Sequence, residues 1–493
     1  MSSIATVIIP RFEGLEDDDR TIVSRLLARW RSTRAKNELR RSYYDGHQAL
    51  KDLGIAVPPQ LKSLDVVVGW PAKAVDSLSR RTILNGFVTA GGGSEIQSVL
   101  GDLWDSNRLA SEAPSSHTSA LIHSCSFVFV TRGVDGEPDV LITTRSAEDA
   151  TGEWDGVRRG LSSALSIVDY DRATGEPLQM NFYRPFMVVV LRRTTPGVYA
   201  AEYRPHNMGM PVEVLPYRAM NDRPFGRSRI TRGVRYLTDA AARTLLRTEV
   251  GAEFYNAPQR YVLGADESAF TDSSGAPVPA WSVMLGRMLA MSRDENGDMP
   301  SVGQFAQQTM QPNMDQLRSL AQMFAAETSL PVGALGIVQD NPSSAEAIRA
   351  VNEELGIEIE HWQRTSLGPV WKRVMRRAVG MATDSAAALA EVASIAPDWG
   401  SWALASENAM ADAAVKQVTA VPWLADSDVL LRRMGYRPDE IEQLLEVKRR
   451  AGASDRLAQL VDAARGLRSG NGDSGAGVGV PAGEPVVGAS GSA

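Results

Sequence analysis

The residues with the greatest capacity for chemistry are five histidines and one cysteine, three of which lie close together in the chain. His117, His123 and Cys125 would need a further ligand from elsewhere to form a zinc site. Cys125 stands in an apolar run, which is typical of a buried thiol that packs as a small hydrophobe. We therefore predict no metal site and no cofactor.

Motifs of nucleotide and hydrolase chemistry are absent from the sequence. No glycine is followed by lysine, so the chain has no phosphate-binding loop of the G-x-x-x-x-G-K type. Neither H-E-x-x-H nor G-x-S-x-G occurs, and the carboxylates show no spacing typical of a glycosidase pair. We predict that the protein is not an enzyme, and a hydrolase that uses Cys125 stays open as an alternative.

Length and charge limit the classes of protein. A chain of 493 residues predicts two to four structural units. With 52 basic and 59 acidic residues the net charge is −7, whereas a protein that coats nucleic acid needs a cationic excess. A single cysteine fits a reducing cytoplasm. Aliphatic runs such as residues 187–191 are far shorter than the ~20 residues that span a bilayer, and the first residues lack a signal-peptide pattern.

Hydrophobic periodicity predicts a mixed α+β chain. The first ~80 residues read as helical, with apolar positions at helical spacing; these are Ile22, Leu26, Leu27 and Trp30. From about residue 120 to 217, short β-rich runs between Gly and Pro predict antiparallel hairpins. After about residue 380 the chain is Ala-rich and helical, and a Gly-, Ala- and Ser-rich tail from Ser469 is predicted to be disordered.

The segment 226–256 has the clearest helical pattern. Apolar residues form a stripe along one side of this helix, and four arginines lie on the opposite side: Arg229, Arg232, Arg243 and Arg247. A second apolar line, Leu246, Val250 and Phe254, runs along the far end. A helix that is apolar on two sides lies between neighbours, so a buried core helix and a helix shared between subunits both remain open.

The segments after Pro258 alternate between loop and helix. Residues 258–310 are rich in Pro, Gly and Ser, and the next helix, around 314–324, is predicted to have Asn313 as its cap. The following loop, 329–343, is unusually apolar for a connection; it holds Leu330, Val332, Leu335, Ile337 and Val338, with Asp340 as its charge. A long helix follows, with Ser343 or Ser344 as its cap, a kink at Gly368-Pro369, and glutamates in its first half that follow the helix dipole.

Three stretches carry a resemblance to a known family. They are Tyr43-Tyr44-Asp-Gly-His with the Trp70-Pro71 helix, Pro224-Phe-Gly-Arg-Ser-Arg-Ile at the start of the long helix that runs to Tyr261, and Thr328-Ser-Leu-Pro followed by Asn341-Pro-Ser-Ser-Ala-Glu. In this order the chain resembles the portal proteins of tailed double-stranded-DNA bacteriophages, particularly siphophages that infect actinobacteria. Related portals often have Ser-Gly where Ser343-Ser344 stands here.

The resemblance implies a multi-domain portal architecture. The wing would be residues 1–225, with a kinked wing helix at 344–380. The two stem helices would be 226–256 and 311–328, and the clip would be 257–310 between them. The tunnel loop would be 329–343, the crown 381–468 and the disordered tail 469–493. Leu246, Val250 and Phe254 of the first stem helix would lie at the subunit interface. The loop residues from Leu330 to Asp340 would line the channel.

The resemblance also implies partners and a place in the particle. About twelve subunits would form a ring at one capsid vertex, with double-stranded DNA passing through without sequence specificity. The ring would contact the major capsid protein, the scaffold, the terminase and then the head-tail adaptors, after assembly in the host cytoplasm. The stem arginines would face either DNA or a neighbouring subunit. A minor head protein without a channel is the alternative.

Overall fold

The computed structural model describes residues 10–48, 66–90, 93–134, 136–255, 260–263, 301–304, 309–336, 345–402, 407–436, 440–441 and 443–451. The chain divides into two compact units, Met1–Ala403 and Leu404–Ala493. The predicted disordered tail, 469–493, lies outside the described residues. Among the described helices, none has the length and apolar character needed to cross a membrane.

The predicted helical start is confirmed. Helix α1 (Asp17–Asp45) opens with three aspartates, which a helix N-terminus favours, and ends at Gly46 with φ +73°. Its face of Val23, Leu26, Leu27 and Trp30 is buried. Helices α2 (Trp70–Ser79), α3 (Ser94–Ser106) and α4 (Leu109–His123) follow.

The predicted β-rich region forms two sheets in the first unit. The six-stranded sheet has the order β1-β9-β8-β7-β6-β5 and packs its core against α1. Its strands are β1 (Arg11–Glu13), β5 (Ala150–Asp155), β6 (Gly160–Tyr170), β7 (Pro177–Arg184), β8 (Met187–Thr195) and β9 (Val198–Pro205). The three-stranded sheet β10-β3-β4 consists of β3 (Cys125–Arg132), β4 (Val140–Ser146) and β10 (Val212–Pro216).

Two smaller sheets join segments that are distant in sequence. Strand β2 (Leu84–Val88) pairs with β13 (Ala396–Trp399), and β11 (Arg260–Leu263) pairs with β12 (Ser301–Gln304), both antiparallel. The β13 pairing draws residues after 380 into the first unit. The segment 381–468 is therefore not one separate body, because its first part completes a sheet with β2.

Long helices make up the middle of the first unit. They are α5 (Arg232–Tyr255), α6 (Gln311–Thr328), α7 (Ala345–Trp362) and α8 (Gly368–Ala382). A short helix, α9 (Ala386–Glu391), follows them. Helix α5 begins at Arg232 rather than at 226. Asn313 is not the cap of α6, because the helix starts two residues earlier with Pro312 in its first turn. The predicted caps Ser343 and Ser344 lie outside the described residues.

A π-helical turn, Gln363–Leu367, connects α7 to α8 at the predicted kink. Pro369 has no N–H to bond to the preceding turn. The turn adapts the backbone there, and Gly368 donates its N–H to the carbonyl of Gln363 five residues earlier. The chain thus remains helical through the proline.

The largest core lies where α2–α8 meet the three-stranded sheet. Trp371 of α8 is fully buried there and donates from Nε1 to Nε2 of His117 on α4 over 2.9 Å. Glu213 of β10 forms ion pairs with Arg373 at 2.9 Å and with Arg377 at 2.6 Å, and these fix α8 to the sheet. Helix α8 is therefore held by both packing and charge.

The second unit is helical where it is described. Helix α10 (Glu407–Ala420) leads through a 3-10 turn, Pro422–Asp426, to α11 (Asp428–Arg433). Ser427 accepts the N–H of Val429 as the cap of α11, and Gly435 follows the helix with φ +91°. The helix end predicted near Gly435 is thus confirmed.

Candidate functional site

Residues 224–230, which carry part of the family resemblance, lie just before α5, and their backbone passes close to that of Tyr217. Gly226 has φ +70°, and a Cβ atom there would lie 2.1 Å from the carbonyl oxygen of Tyr217. Only glycine satisfies both constraints. Arg227 then donates its N–H to Tyr217 at 2.8 Å, and Arg229 donates its N–H to Leu121 at 2.8 Å. These bonds direct the Arg229 side chain inward.

Arg229 is the most highly connected buried cation of this region, with its side chain only 3% exposed. Its Nε donates to the carbonyl of Ala74 at 2.8 Å, and Nη2 donates to the carbonyl of Thr328 at 2.6 Å. Its Nη1 donates to the Tyr217 hydroxyl at 2.7 Å and to Oε1 of Glu358 at 2.8 Å. We call these five residues the Arg229 cluster. It joins α2, the end of α6, the segment after β10, and α7.

The charges in the Arg229 cluster stabilise one another. Burial raises the pKa of the Glu358 carboxyl, but the charges of Arg229 and Arg218 and the hydrogen bonds from Tyr217 and Arg229 together outweigh burial, so the net shift of this pKa is downward. Burial lowers the pKa of the Arg229 guanidinium, yet Tyr217 and Glu358 outweigh burial and the net shift is upward. Glu358 also accepts a hydrogen bond from Tyr217 and one from Arg218 at 2.7 Å. The pair is therefore ionised together.

Two predictions about charges are corrected by this geometry. Arg229 precedes α5 and is buried within its own chain, so it faces neither DNA nor a neighbouring subunit. Glu358 does not merely follow the helix dipole, because it neutralises Arg229. Of the other arginines in the predicted cluster, Arg232 and Arg247 are exposed and Arg243 is half-buried.

The Tyr43-Tyr44 pair of the resemblance also has a structural role. The Tyr43 hydroxyl donates to both carboxylate oxygens of Asp239 on α5 at 2.9 Å, and the Tyr44 hydroxyl donates to Asp76 on α2 at 2.9 Å. Burial, helped by these carboxylates, raises the pKa of each tyrosine to about 12. Helix α1 is thereby fixed to both α5 and α2.

The α5–α6 pair has one buried and one open apolar side. Val234, Leu237 and Ala241 of the predicted stripe are buried in the same core as Leu320 and Phe324 of α6, and so is Ile230, which lies just before α5. Leu245 and Ala252 of the same stripe are half-buried. Leu246 and Val250 of the second line are only half-buried, and the side chain of Phe254 is outside the described residues. Tyr236 on α5 and Met323 on α6 are 64% and 51% exposed.

The predicted tunnel loop begins inside the core. Leu330 is buried at 4% exposure, so it belongs to its own chain's interior and does not line an open channel. Val332 and Leu335 bound a 3-10 turn and are half-buried, and Gly336 ends that turn with φ +82°. Ile337, Val338 and Asp340 lie outside the described residues. The start of the loop is connected to α7 in two ways. The Thr328 carbonyl accepts from Arg229, which pairs with Glu358, and the Ser329 hydroxyl lies 3.4 Å from Glu354.

His117, His123 and Cys125 are buried in the interior. Burial lowers the pKa of His117 and of His123 to about 3, and it raises the pKa of the Cys125 thiol to about 12. Within the ranges that the structure describes, no three His, Cys, Asp or Glu side chains are grouped to hold a metal.

Comparisons with known proteins identify the family. Residues 23–452 match the family model described as phage portal protein, SPP1 Gp6-like. The chain is 30% identical over 344 residues to the portal protein of Mycobacterium phage L5, covering 68% of this chain and 69% of that protein. It is 31% identical over 351 residues to that of Mycobacterium phage D29, covering 68% and 70%. The chain belongs to the phage portal protein family, which is a structural one.

Solved structures give more distant likenesses. A chain from the neck of a native gene transfer agent particle, computed with C12 symmetry, is 12% identical with a TM-score of 0.38, covering 75% of this chain and 90% of that one. A chain from the neck of an empty particle, computed with C6 symmetry, is 14% identical with a TM-score of 0.38, covering 72% and 85%.

Replacing Arg229 with methionine should destabilise the fold by about 3–5 kcal/mol, because Glu358 and two carbonyls lose a buried donor. Urea unfolding followed by circular dichroism measures this free energy. Arg232→Met, in the exposed first turn of α5, should change it by less than about 0.5 kcal/mol. Equal effects of the two substitutions would contradict the role of Arg229.

Acid should weaken the Arg229 cluster. Because the folded-state pKa of Glu358 is below its usual 4.5, the stability it contributes is present above pH 4.5 and is lost as the pH falls through the folded value. The difference in unfolding free energy between the native chain and Glu358→Gln should therefore shrink on acidification. Glu353→Gln, on an exposed position of α7, serves as the control, and a difference that stays constant with pH would contradict the assignment.

Proposed function

We propose that about twelve copies of this chain form the closed ring at one capsid vertex through which the genome is packaged and ejected. Membership of the phage portal protein family is the observation that carries this proposal. The ring would dock the terminase during packaging and the head-tail adaptors afterwards, and it would sit among the major capsid protein and scaffold.

The α5–α6 pair supports assembly into a ring. One apolar face of α5 is used inside the chain, while Leu246, Val250, Tyr236 and Met323 keep exposed area. Burying such area against a second copy is favourable by about 25 cal/mol per Å². A closed ring lets every copy cover this side without leaving an open end.

The parts of the portal are assigned by position in the chain. The wing would be residues 1–225 with the helix pair α7–α8, the stem would be α5 and α6, and 257–310 would be the clip. The tunnel loop would follow α6 at 329–343, and the crown would take its residues from 381–468. Since β13 belongs to the first unit, the crown would be built mainly from residues after Ala403.

The charge of the chain suits a channel in which DNA slides. Each chain carries a net charge of −7. Strong binding of duplex DNA comes from cations that neutralise phosphates, so an acidic ring would not hold the duplex in one place. The exposed Arg232 and Arg247 would then meet carboxylates of a neighbouring subunit.

Replacing Leu246, Val250 and Phe254 together with serine should leave monomers or open fragments, because the second face of α5 would no longer bury enough apolar area to stabilise the contact between subunits. Native mass spectrometry and negative-stain microscopy of the purified protein give the readout. The matched control replaces Val157, Phe186 and Met220, three exposed apolar residues elsewhere, by serine and should form rings with a central hole. Intact rings of the α5 variant would contradict this interface, and a native protein without a hole would favour a minor head protein.

Lysine at Leu335 and Ile337 together should permit ring assembly but impair packaging or retention of DNA, because new cations in the channel would bind phosphates. Packaged genome length in assembled particles measures the effect. Val157→Lys with Phe186→Lys, at exposed positions outside the loop, should package normally. Full-length genomes stably retained by the loop variant would show that this loop does not meet DNA.

A further inference from the structure

A cavity of about 710 Å³ lies between the six-stranded and three-stranded sheets of the first unit. Phe129 of β3 and Tyr183 of β7 meet at its wall, with their ring centroids 4.8 Å apart. Leu141 of β4 and Val188 and Val190 of β8 add apolar surface. The volume falls within the ~300–1,000 Å³ of pockets that enclose small ligands, so the cavity is large enough for one small organic molecule.

Arg145 brings a positive charge to this cavity from the three-stranded sheet. It pairs with Phe127 across the β3–β4 register, so its side chain lies on the same face of the sheet as Phe127 and Phe129. Since Phe129 contacts Tyr183, this face is the one directed toward the six-stranded sheet. Arg145 is half-buried and makes no hydrogen bond or ion pair with any residue that the structure describes. An unpaired guanidinium in partly desolvated surroundings gains more from an incoming anion than a fully hydrated one does.

Hydroxyl and amide groups of the six-stranded sheet line the opposite wall. Ser166 and Asn181 pair across the β6–β7 register, and Tyr183 lies on the same face two residues after Asn181. The Tyr183 hydroxyl lies 3.4 Å from that of Ser166 and accepts a hydrogen bond from Nδ2 of Asn181 at 3.3 Å. Burial raises the pKa of Tyr183, and the charge of Arg145 acts in the opposite direction, which places the guanidinium near this group. Oδ1 of Asn181 is buried and has no hydrogen-bond partner among the described residues.

The two unpaired groups need different properties from a ligand. Arg145 needs an anion, whereas the buried Oδ1 of Asn181 needs a hydrogen-bond donor, because a buried acceptor without a donor is destabilising. A phosphate monoester that carries one proton supplies both, since its charged oxygens accept from the guanidinium and its P–OH donates to the amide oxygen. The second pKa of such a monoester is about 6, so the protonated form is well populated at that pH. Sulfate and phosphodiesters are anionic there but have no proton to donate.

We propose that this cavity binds a phosphate monoester, with the phosphate between Arg145 and Asn181 and the organic group against Phe129 and the two valines of β8. The apolar walls favour a monoester over inorganic phosphate, because the ester group covers apolar surface that a free anion leaves in contact with water. The phosphodiester backbone of nucleic acid is disfavoured, because it would leave Oδ1 of Asn181 without a donor. This site is separate from the α5–α6 pair and the tunnel loop, so it does not rest on the proposed function.

Isothermal titration calorimetry of the full-length protein in its native assembly tests the ligand class, at about pH 6 and at one ionic strength set with chloride. The probes are phenyl phosphate, methyl phenyl phosphate, inorganic phosphate and sulfate. Phenyl phosphate should bind at least about tenfold more tightly than methyl phenyl phosphate, which differs from it by one methyl group and has no P–OH. It should also bind more tightly than inorganic phosphate, and sulfate should bind most weakly. Equal binding of phenyl phosphate and any of the other three probes would overturn the proposal, and so would absence of phenyl phosphate binding.

Variants test where the ligand binds. Arg145→Gln should weaken phenyl phosphate binding at least about tenfold, through the loss of a charge-assisted contact. Asn181→Leu should bring the affinities for phenyl phosphate and methyl phenyl phosphate close together, because the acceptor that distinguishes them is gone. Arg158→Gln, at an exposed position of the β5–β6 turn, should leave binding unchanged. Thermal unfolding verifies that each variant folds, and the comparison of probes on the native chain does not depend on the variants. Equal losses in Arg145→Gln and Arg158→Gln would overturn this site, as would an Asn181→Leu variant that keeps the full preference for the monoester.

Discussion

The arrangement of the central helices depends on one buried cation. Taking a guanidinium out of water costs several kcal/mol unless its donors are paired, and Arg229 is paired through acceptors on α2, α7, the end of α6 and the segment after β10. No two of these acceptors are neighbours in the sequence. A displacement of any one of the four segments would leave a charge or a carbonyl unpaired, so the cluster fixes them together.

This constraint places the helix pair and the loop relative to the sheets. Arg229 lies just before the start of α5, and its contact with Thr328 lies at the end of α6. The loop that starts at Ser329 therefore leaves from a point bonded to α7, the helix into which the same loop returns at Ala345. The contacts of Tyr43 and Tyr44 add α1 to this frame. The frame therefore holds α5 and α6 in a fixed position relative to α1, α2 and α7.

Hydrophobic periodicity predicted the helices and faces that depend on local sequence pattern. The apolar positions of α5 and of α1 repeat at helical spacing, and the helices that this spacing predicts are confirmed. The contacts of Arg229 could not be predicted from the sequence. A helical pattern that starts at 226 puts this residue among the exposed arginines, whereas the helix begins at Arg232. Leu330 looked exposed because it follows a helix end, yet the core of α5 and α6 covers it. Strands β5–β7 fall inside the predicted β-rich region, but their individual bounds could not be predicted, because polar residues such as Ser163 and Asn181 interrupt the apolar alternation. The recognised motifs marked Arg229 and the tyrosine pair, but the partners of these residues are 12 to 196 residues away in the sequence.

A double-mutant cycle on Arg229 and Glu358 tests the central claim most directly. The free energy of unfolding would be measured for the native chain, Arg229→Met, Glu358→Gln and the double variant under one buffer condition. If the two side chains act as one buried pair, the double variant should be less destabilised than the sum of the single ones, by about 2 kcal/mol or more. Additive effects, within about 0.5 kcal/mol, would contradict the claim that this interaction holds the helices together.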